Sequence, residues 1–268
     1  MKSEFSLLSL NSFGVPFFLS WGRLARLARE LEDLATTVIC LQEIQQNAYV
    51  PLLARRLEAY PYQAIFPHVY APKGGLGTFS RLPLASKFFE PYRDRGLRWL
   101  ITFSDWALYK GVLVTQLRIR ELEILILNTH LNANYSGDWR HNNPLARVQH
   151  SQVQQLTHLV SQMPADALVI LCGDFNFPRT AFLYEELTLQ AGLTDPLLTD
   201  PRPTYRPFPL IPSKWKTSLD YLFLRIPQGK DINLQADIVP VEDSTQTRPF
   251  GRFLSDHNAL TLKISWNG

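Results

Sequence analysis

The chain has 268 residues, 27 basic and 24 acidic, for a net charge of +3 at pH 7, and 46% of it is hydrophobic. That hydrophobic fraction excludes a disordered chain, and no apolar run approaches the ~20 residues of a membrane span. The slight basic surplus is compatible with an anionic substrate but falls far short of the dense cationic field of an obligate nucleic-acid binder.

From the amino terminus, residues 5–10 read as an apolar strand that stops at Asn11 in the segment SLNSFG. Residues 21–35 place Leu24, Leu27, Leu31 and Leu34 at spacings of three and four. This predicts an amphipathic helix with Arg23, Arg26 and Arg29 on a solvated face. A strand over 38–41 runs toward Glu43, and a helix is expected over 51–58. Ser80 and Arg81 of TFSRLPL lie at a strand-to-turn position, and a block of strands includes those over 112–117 and 124–128, the second leading to His130. A helix over 145–160 precedes the strand at 168–172, which opens into GDFN with Asp174 and Asn176, and another helix covers about 180–191. Prolines 201, 203, 207, 209 and 212 make 199–217 a long irregular connection of the kind that often carries function. The final strands, over 221–224 and 259–264, lie beside Asp220 and beside Asp256 and His257. With no repeat or composition shift to divide it, the chain reads as one domain over 1–268: two facing sheets with helices outside.

Cys40 and Cys172 each lie in an apolar run and are expected to be buried thiols. The amino terminus carries Glu4 and no small-residue cleavage pattern, so the expected location is the cytoplasm.

Asn11, Glu43, His130, Asp174 with Asn176, Asp220, and Asp256 with His257 all stand at strand ends. Taken singly, each is more simply a turn, cap or core residue. Ionised carboxylates, however, avoid burial unless paired or bound to metal, and so many acids at the ends of core strands call for a shared site. If the carboxyl-side ends of the strands lie together, the set forms an oxygen-lined pocket with two imidazoles, suited to Mg²⁺ or Mn²⁺ and a substrate phosphate.

The order SLNSFG, LQE, GLGTFSRLPL, LNTHLNA, CGDFN, SLDYLF and SDHNAL resembles the endonuclease/exonuclease/phosphatase superfamily over residues 5–264. The resemblance implies a four-layer α/β/β/α sandwich of mainly antiparallel sheets and metal-dependent hydrolysis of a phosphate ester. Carried over by motif, it makes Glu43 the direct metal ligand with Asn11 and Asp256 on the metal side. His257 becomes the general base, oriented by Asp220, and Asp174 helps orient the attacking water. Asn176 and His130 bind the phosphoryl oxygens, and Arg81 approaches the phosphate.

Within the superfamily, FGVPFF, SDWALYKGVLV, NTHLNANYSGDW and the glutamine-rich helix near Arg147 are most similar to the neutral sphingomyelinase branch. That likeness implies a lipid headgroup as substrate, with a nuclease or an inositide or small-metabolite phosphatase as alternatives. Residues 59–89 contain no acid, whereas pancreatic-type deoxyribonucleases carry a mid-chain glutamate. Phe208, Leu210, Ile211 and Trp215, with Lys214 and Lys216, are the expected peripheral membrane contact. Arg93, Arg95, Arg98 and Trp99 form a candidate basic-aromatic patch for nucleic acid, and the sequence carries no signal for oligomeric state.

Overall fold

The computed structural model describes residues 2–16, 20–96, 103–206, 216–247 and 249–267. Strand β1 (Lys2–Asn11) alternates between exposed and buried side chains at its start and is buried on both faces from Leu7 onward. The change marks where α1 (Ser20–Asp33) crosses its outer face, with Leu24, Leu27 and Leu31 packed on Leu8 and Leu10. This helical crossover returns the chain to form β2 (Val38–Gln42) parallel to β1, with Leu7 opposite Val38 and Asn11 opposite Gln42. Helix α2 (Tyr49–Arg56) packs its Leu53 into the same outer layer. Two short strands follow, β3 (Tyr62–Ala64) and β4 (Gly77–Ser80), both antiparallel to their neighbours.

The second sheet begins with β5 (Ser86–Pro91). After α3 (Phe103–Ala107) come β6 (Gly111–Ile119) and β7 (Leu122–His130), joined as a tight antiparallel hairpin. Helix α4 (Pro144–Ser161) starts with Pro144 at its first turn and with the Asn143 side chain accepting from the Leu145 and Ala146 N–H groups. It carries the chain to β8 (Leu168–Asp174), parallel to β7. Helix α5 (Phe182–Ala191) closes on Gly192 in the left-handed conformation. The chain then adds β9 (Asp220–Arg225), β10 (Ile232–Val239), the short α6 (Pro249–Arg252) and β11 (Ala259–Asn267).

The sheets have strand orders β10-β11-β1-β2-β4-β3 and β5-β6-β7-β8-β9. Phe5, Leu7 and Cys40 of the first meet Ile124, Ile126, Cys172 and Leu222 of the second in a buried interior, while α4 and α5 cover the outside of the five-stranded sheet. The architecture is the expected four-layer α/β/β/α sandwich, and both cysteines are buried free thiols.

Two expectations need correcting. Arg23 is buried, unlike the half-exposed Arg26 and exposed Arg29, because it lies at the start of α1 and reaches back to the backbone carbonyls of Ser12, Phe13 and Leu254. Nor do all the site residues follow strands. The carboxyl ends of β1, β2, β7 and β8 lie at one end of the sandwich, but β9 and β11 run antiparallel to their neighbours, so Asp220, Asp256 and His257 arrive from their amino-terminal sides.

Candidate active site

The register of the five-stranded sheet puts His130, Asp174 and Asp220 side by side: His130 pairs with Asp174 across β7 and β8, and Asp174 with Asp220 across β8 and β9. Neighbouring strands are ~4.8 Å apart and paired residues share a face, so the three side chains form a row. The facing sheet supplies Asn11 at the end of β1, Glu43 just past β2, and Asp256 and His257 just before β11. This second row is knit by Ser255, whose hydroxyl donates to the Asn11 carbonyl at 2.6 Å and accepts from the His257 N–H at 3.1 Å.

The rows meet. Asn11 Nδ2 donates to Glu43 Oε1 at 3.1 Å and to Asp174 Oδ2 of the opposite sheet at 2.9 Å. Asn11 Oδ1 accepts from the Phe13 N–H at 3.0 Å, which fixes the amide so that its nitrogen faces the carboxylates. His257 Nδ1 donates to Asp220 Oδ2 at 2.8 Å, again between sheets. Its other nitrogen, Nε2, lies 3.9 Å from Asp174 Oδ2 and 4.0 Å from Asp256 Oδ1. His130 Nε2 is 3.6 Å from the same Asp174 oxygen.

Local backbone conformation serves this convergence. Glu43 and Asn176 adopt positive φ values of 58° and 54°, uncommon for non-glycine residues and a local cost that the surrounding contacts must offset. Gly14 in SLNSFG passes so close to the Glu43 carbonyl that a Cβ would sit 2.0 Å from its oxygen. Asn176 completes a turn in which its N–H donates to Asp174 Oδ1 at 2.9 Å, while its Nδ2 donates to the Leu131 carbonyl at 3.0 Å.

Burial dominates the electrostatics. It raises the Glu43 carboxyl and pushes Asp174 and Asp256 up to about 6, with the Asp220 charge adding to the effect on Asp174. At His257 burial favours the neutral ring, but Asp220, Asp256 and Asp174 together outweigh it and hold the imidazole well above its ordinary value. His130 goes the other way: burial, then the Lys110 ammonium and His257, keep it neutral.

These features fit a hard divalent cation. Glu43 Oε2, Asp220 Oδ1 and Asp256 Oδ1 are buried without a hydrogen-bond partner. Ligand atoms of Glu43, His130 and Asp174 fall within 4.8 Å of one another, as do those of Asp174, Asp220 and His257. A charge of +2 would relieve the crowding of carboxylates in this dry pocket, and oxygen-rich donor sets suit Mg²⁺ or Mn²⁺.

All the predicted strand-end residues therefore come together, but Arg81 does not. Strand β4 runs antiparallel to β2, with Ser80 opposite Val38 at the far end from Glu43. The Arg81 N–H donates to the Thr37 carbonyl and its guanidinium lies over the Tyr60 ring at 4.8 Å, so a phosphate-binding role there is overturned. The remaining histidines make other contacts: His68 lies against Tyr109, His141 against Phe182, and His150 pairs with Glu186. Residues 208–215 of the proline-rich stretch, and Arg98 and Trp99 of the basic patch, lie outside the described residues.

Several supporting residues escaped the sequence reading. The buried Thr204 hydroxyl donates to Asp220 Oδ2 at 2.6 Å and accepts from the Leu219 and Asp220 N–H groups. Buried Lys110 pairs with Asp105 at 2.8 Å and donates to the Leu131 carbonyl, beneath His130. Gln149 of α4 donates to the carbonyls of Asn132 and Asn176, tying the loops after β7 and β8 to one helix. SDWALYKG and the glutamines were visible as patterns, but their partners are far away in sequence. Thr204 had no signal beyond its place in the proline-rich stretch.

The Endonuclease/Exonuclease/phosphatase family matches residues 19–257, and the chain belongs to that family. It is 30% identical over 166 residues to the inositol phosphosphingolipids phospholipase C of Saccharomyces cerevisiae, a stretch covering 59% of this chain and 33% of that protein. The chain spans a third to just under half the length of the curated relatives it first matches. Among solved structures it resembles beta toxin from Staphylococcus aureus with bound magnesium ions, at a TM-score of 0.77 and 16% identity over 99% of this chain and 100% of that one. It likewise resembles D. rerio TDP2 complexed with a single-strand DNA product, at a TM-score of 0.71 and 18% identity over the same shares. Those two likenesses establish the fold.

Proposed function

We propose that this member of the endonuclease/exonuclease/phosphatase family is a divalent-metal-dependent phosphodiesterase, and that the ester it cleaves is in a lipid headgroup. The observation that carries the reading is the junction of the two rows: Asp220 from one sheet orients His257 from the other, and the free Nε2 of that imidazole faces Asp174 and Asp256. In hydrolysis, water attacks phosphorus in line with the departing ester oxygen. A bond from water oxygen to phosphorus forms as the bond to the leaving oxygen breaks.

His257 Nε2 takes the proton of the attacking water. Asp220, itself held by Thr204, keeps the Nδ1 proton and the ring orientation in place. Asp174 lies near enough to accept the water's second hydrogen. His130 stays neutral and, with Asn176, offers N–H groups to the phosphoryl and leaving oxygens. Glu43, with Asp256 beside it, would hold Mg²⁺ or Mn²⁺, whose positive charge would offset the negative charge developing on the phosphoryl oxygens and would counter the pull of the carboxylates on His257.

The lipid assignment is supported by the relative's name, which specifies inositol phosphosphingolipids, and by residues 59–89 holding no acid where pancreatic-type deoxyribonucleases carry a mid-chain glutamate. A side-by-side assay with Mg²⁺ on sphingolipid micelles, plasmid DNA, RNA and inositol phosphates tests it. Chelator-sensitive release of a phosphorylated headgroup is expected. DNA nicking without headgroup release would overturn the substrate, and no hydrolysis of any ester would overturn the reading itself.

A further inference from the structure

Four large side chains stand exposed around the mouth of the site: Trp21 at 53%, Val69 at 80%, Tyr70 at 48% and Tyr135 at 58%. They come from three distant segments, and the fold brings each to the catalytic end. Trp21 is the second residue of α1, two before Arg23 whose side chain reaches the loop after Asn11, and its ring lies 6.1 Å from that of Tyr49. Asn47, between Glu43 and Tyr49, pins the Val69–Tyr70 loop: its N–H donates to the Tyr70 carbonyl at 2.8 Å and its Nδ2 to the carbonyls of His68 and Val69. Tyr135 lies in the loop after β7, five residues past His130, where the Ala133 N–H donates to Asp105 Oδ2 at 3.0 Å.

Cations accompany this apolar arc. Lys73 lies 5.6 Å and Arg95 4.6 Å from the Tyr109 ring, which also neighbours His68 and Phe89. No acid occurs from residue 59 to 89, the span that holds Lys73, while Arg95 follows Asp94 in the chain. Exposed single hydrophobics are ordinary, but tryptophan and tyrosine beside lysine and arginine, gathered at one end of the molecule, match the chemistry of an anionic membrane interface.

We infer that this rim is a docking surface for an anionic lipid bilayer, with Trp21, Val69 and Tyr70 entering the headgroup region while Lys73 and Arg95 meet its charge. Docking in this orientation aims the opening between Glu43 and His257 at the bilayer, so a headgroup ester reaches the site without leaving the interface. The inference rests on the lipid reading above and adds the surface and its orientation. It is independent of the proline-rich segment first expected to touch a membrane.

The test compares wild-type protein with a Trp21→Ser/Val69→Ser/Tyr70→Ser variant in co-sedimentation with phosphatidylcholine vesicles containing phosphatidylserine. Hydrolysis of soluble bis-p-nitrophenyl phosphate and thermal melting are measured in parallel. Vesicle binding should fall by at least about tenfold, given the apolar area three such side chains would withdraw from water. Soluble-ester turnover and melting temperature should hold. A Leu34→Ser/Leu189→Ser variant, altering exposed leucines elsewhere, should bind as wild type. Wild-type protein that ignores these vesicles, or a rim variant that binds them as well as wild type, would overturn the inference. If the triple variant loses structure, Val69→Ser alone, at the most exposed of the three, must still weaken binding for the inference to stand. Hydrolysis of sphingolipid by the wild type tests the substrate reading separately, because it is scored on dispersed micelles and on product rather than on vesicle binding.

Discussion

The two ends of the sandwich are built on opposite terms. At the catalytic end, Glu43 and Asn176 hold positive φ, three carboxylates are raised by burial, and buried oxygens of Glu43, Asp220 and Asp256 lack hydrogen-bond partners. At the far end, Ser6 and Thr37 exchange hydrogen bonds, the Arg81 N–H donates to the Thr37 carbonyl, and Arg225 donates to the carbonyls of Val160 in the last turn of α4 and of Met163 and Pro164 beyond it. The far end pairs its polar groups mainly with backbone, leaving Arg81 Nε and Arg225 Nε unpartnered, whereas the catalytic end leaves unpartnered carboxylate oxygens gathered from both sheets. The same strands serve both, so the far end supplies rigidity that keeps the costly end in place.

This contrast should show most strongly in turnover. Glu43→Gln and His257→Ala should each lower metal-dependent kcat on bis-p-nitrophenyl phosphate by about 10²–10⁴-fold, the range for loss of a catalytic acid–base group or its electrostatic partner. Retention of wild-type rates in either would remove the assigned roles. A smaller loss is expected at Thr204. Thr204→Val should reduce kcat about tenfold with little change in KM, while Thr204→Ser, which keeps the hydroxyl, should restore it. Equal loss in both variants would make Thr204 a packing residue only.

The contrast extends to pH. Burial places the Asp174 and Asp256 carboxyls at about 6, above their ordinary values, so the folded state binds those protons more tightly than the unfolded chain. The resulting stabilisation is complete below about pH 4 and is lost as pH rises through about 6. His257, where Asp220 and its neighbours overcome burial, adds a loss at higher pH, while buried His130 acts in the opposite sense as pH falls below its ordinary value. Without added cation the protein should therefore melt lower at about pH 7.5 than at about pH 5.5, and Mg²⁺ should raise the melting temperature more at the higher pH. An equal Mg²⁺ effect at both values would argue against a cation among these carboxylates.

At the far end the signs reverse. Arg225→Ala should cost about 1–3 kcal/mol of stability through the carbonyls it leaves unpaired, with kcat unchanged. Arg81→Ala should have the smallest effect, with turnover at wild-type level. A fall in kcat for Arg81→Ala comparable to that of Glu43→Gln would mean the two ends are not separate.

The sequence made the long, fully buried strands and their polar ends legible, because apolar runs such as those before Asn11, His130 and Asp174 stop abruptly on hydrogen-bonding residues. It did not mark β3, with three residues, or edge strand β10, most of which is exposed or half-exposed and lacks a strong apolar period, and it showed the four-residue β4 only as the strand-to-turn position at Ser80. Strand direction was also hidden. A polar residue at a strand boundary looks the same whichever end of the sheet it occupies, and for that reason Arg81 resembled Asp220 in the sequence but lies at the opposite end. Thr204 and Gln149 were missed, and Lys110 was seen only as part of the SDWALYKGVLV pattern, for a related reason: each works through a partner that only folding brings near.

The most direct test of the central claim is a double-mutant cycle across the two sheets, Glu43→Gln against Asp174→Asn, measured as kcat/KM for Mg²⁺-dependent bis-p-nitrophenyl phosphate hydrolysis. If the two rows act as one unit, each single variant loses most of the activity and the double variant loses little beyond the worse of the two. Losses that multiply independently, or a near-wild-type rate in either single variant, would contradict a shared site.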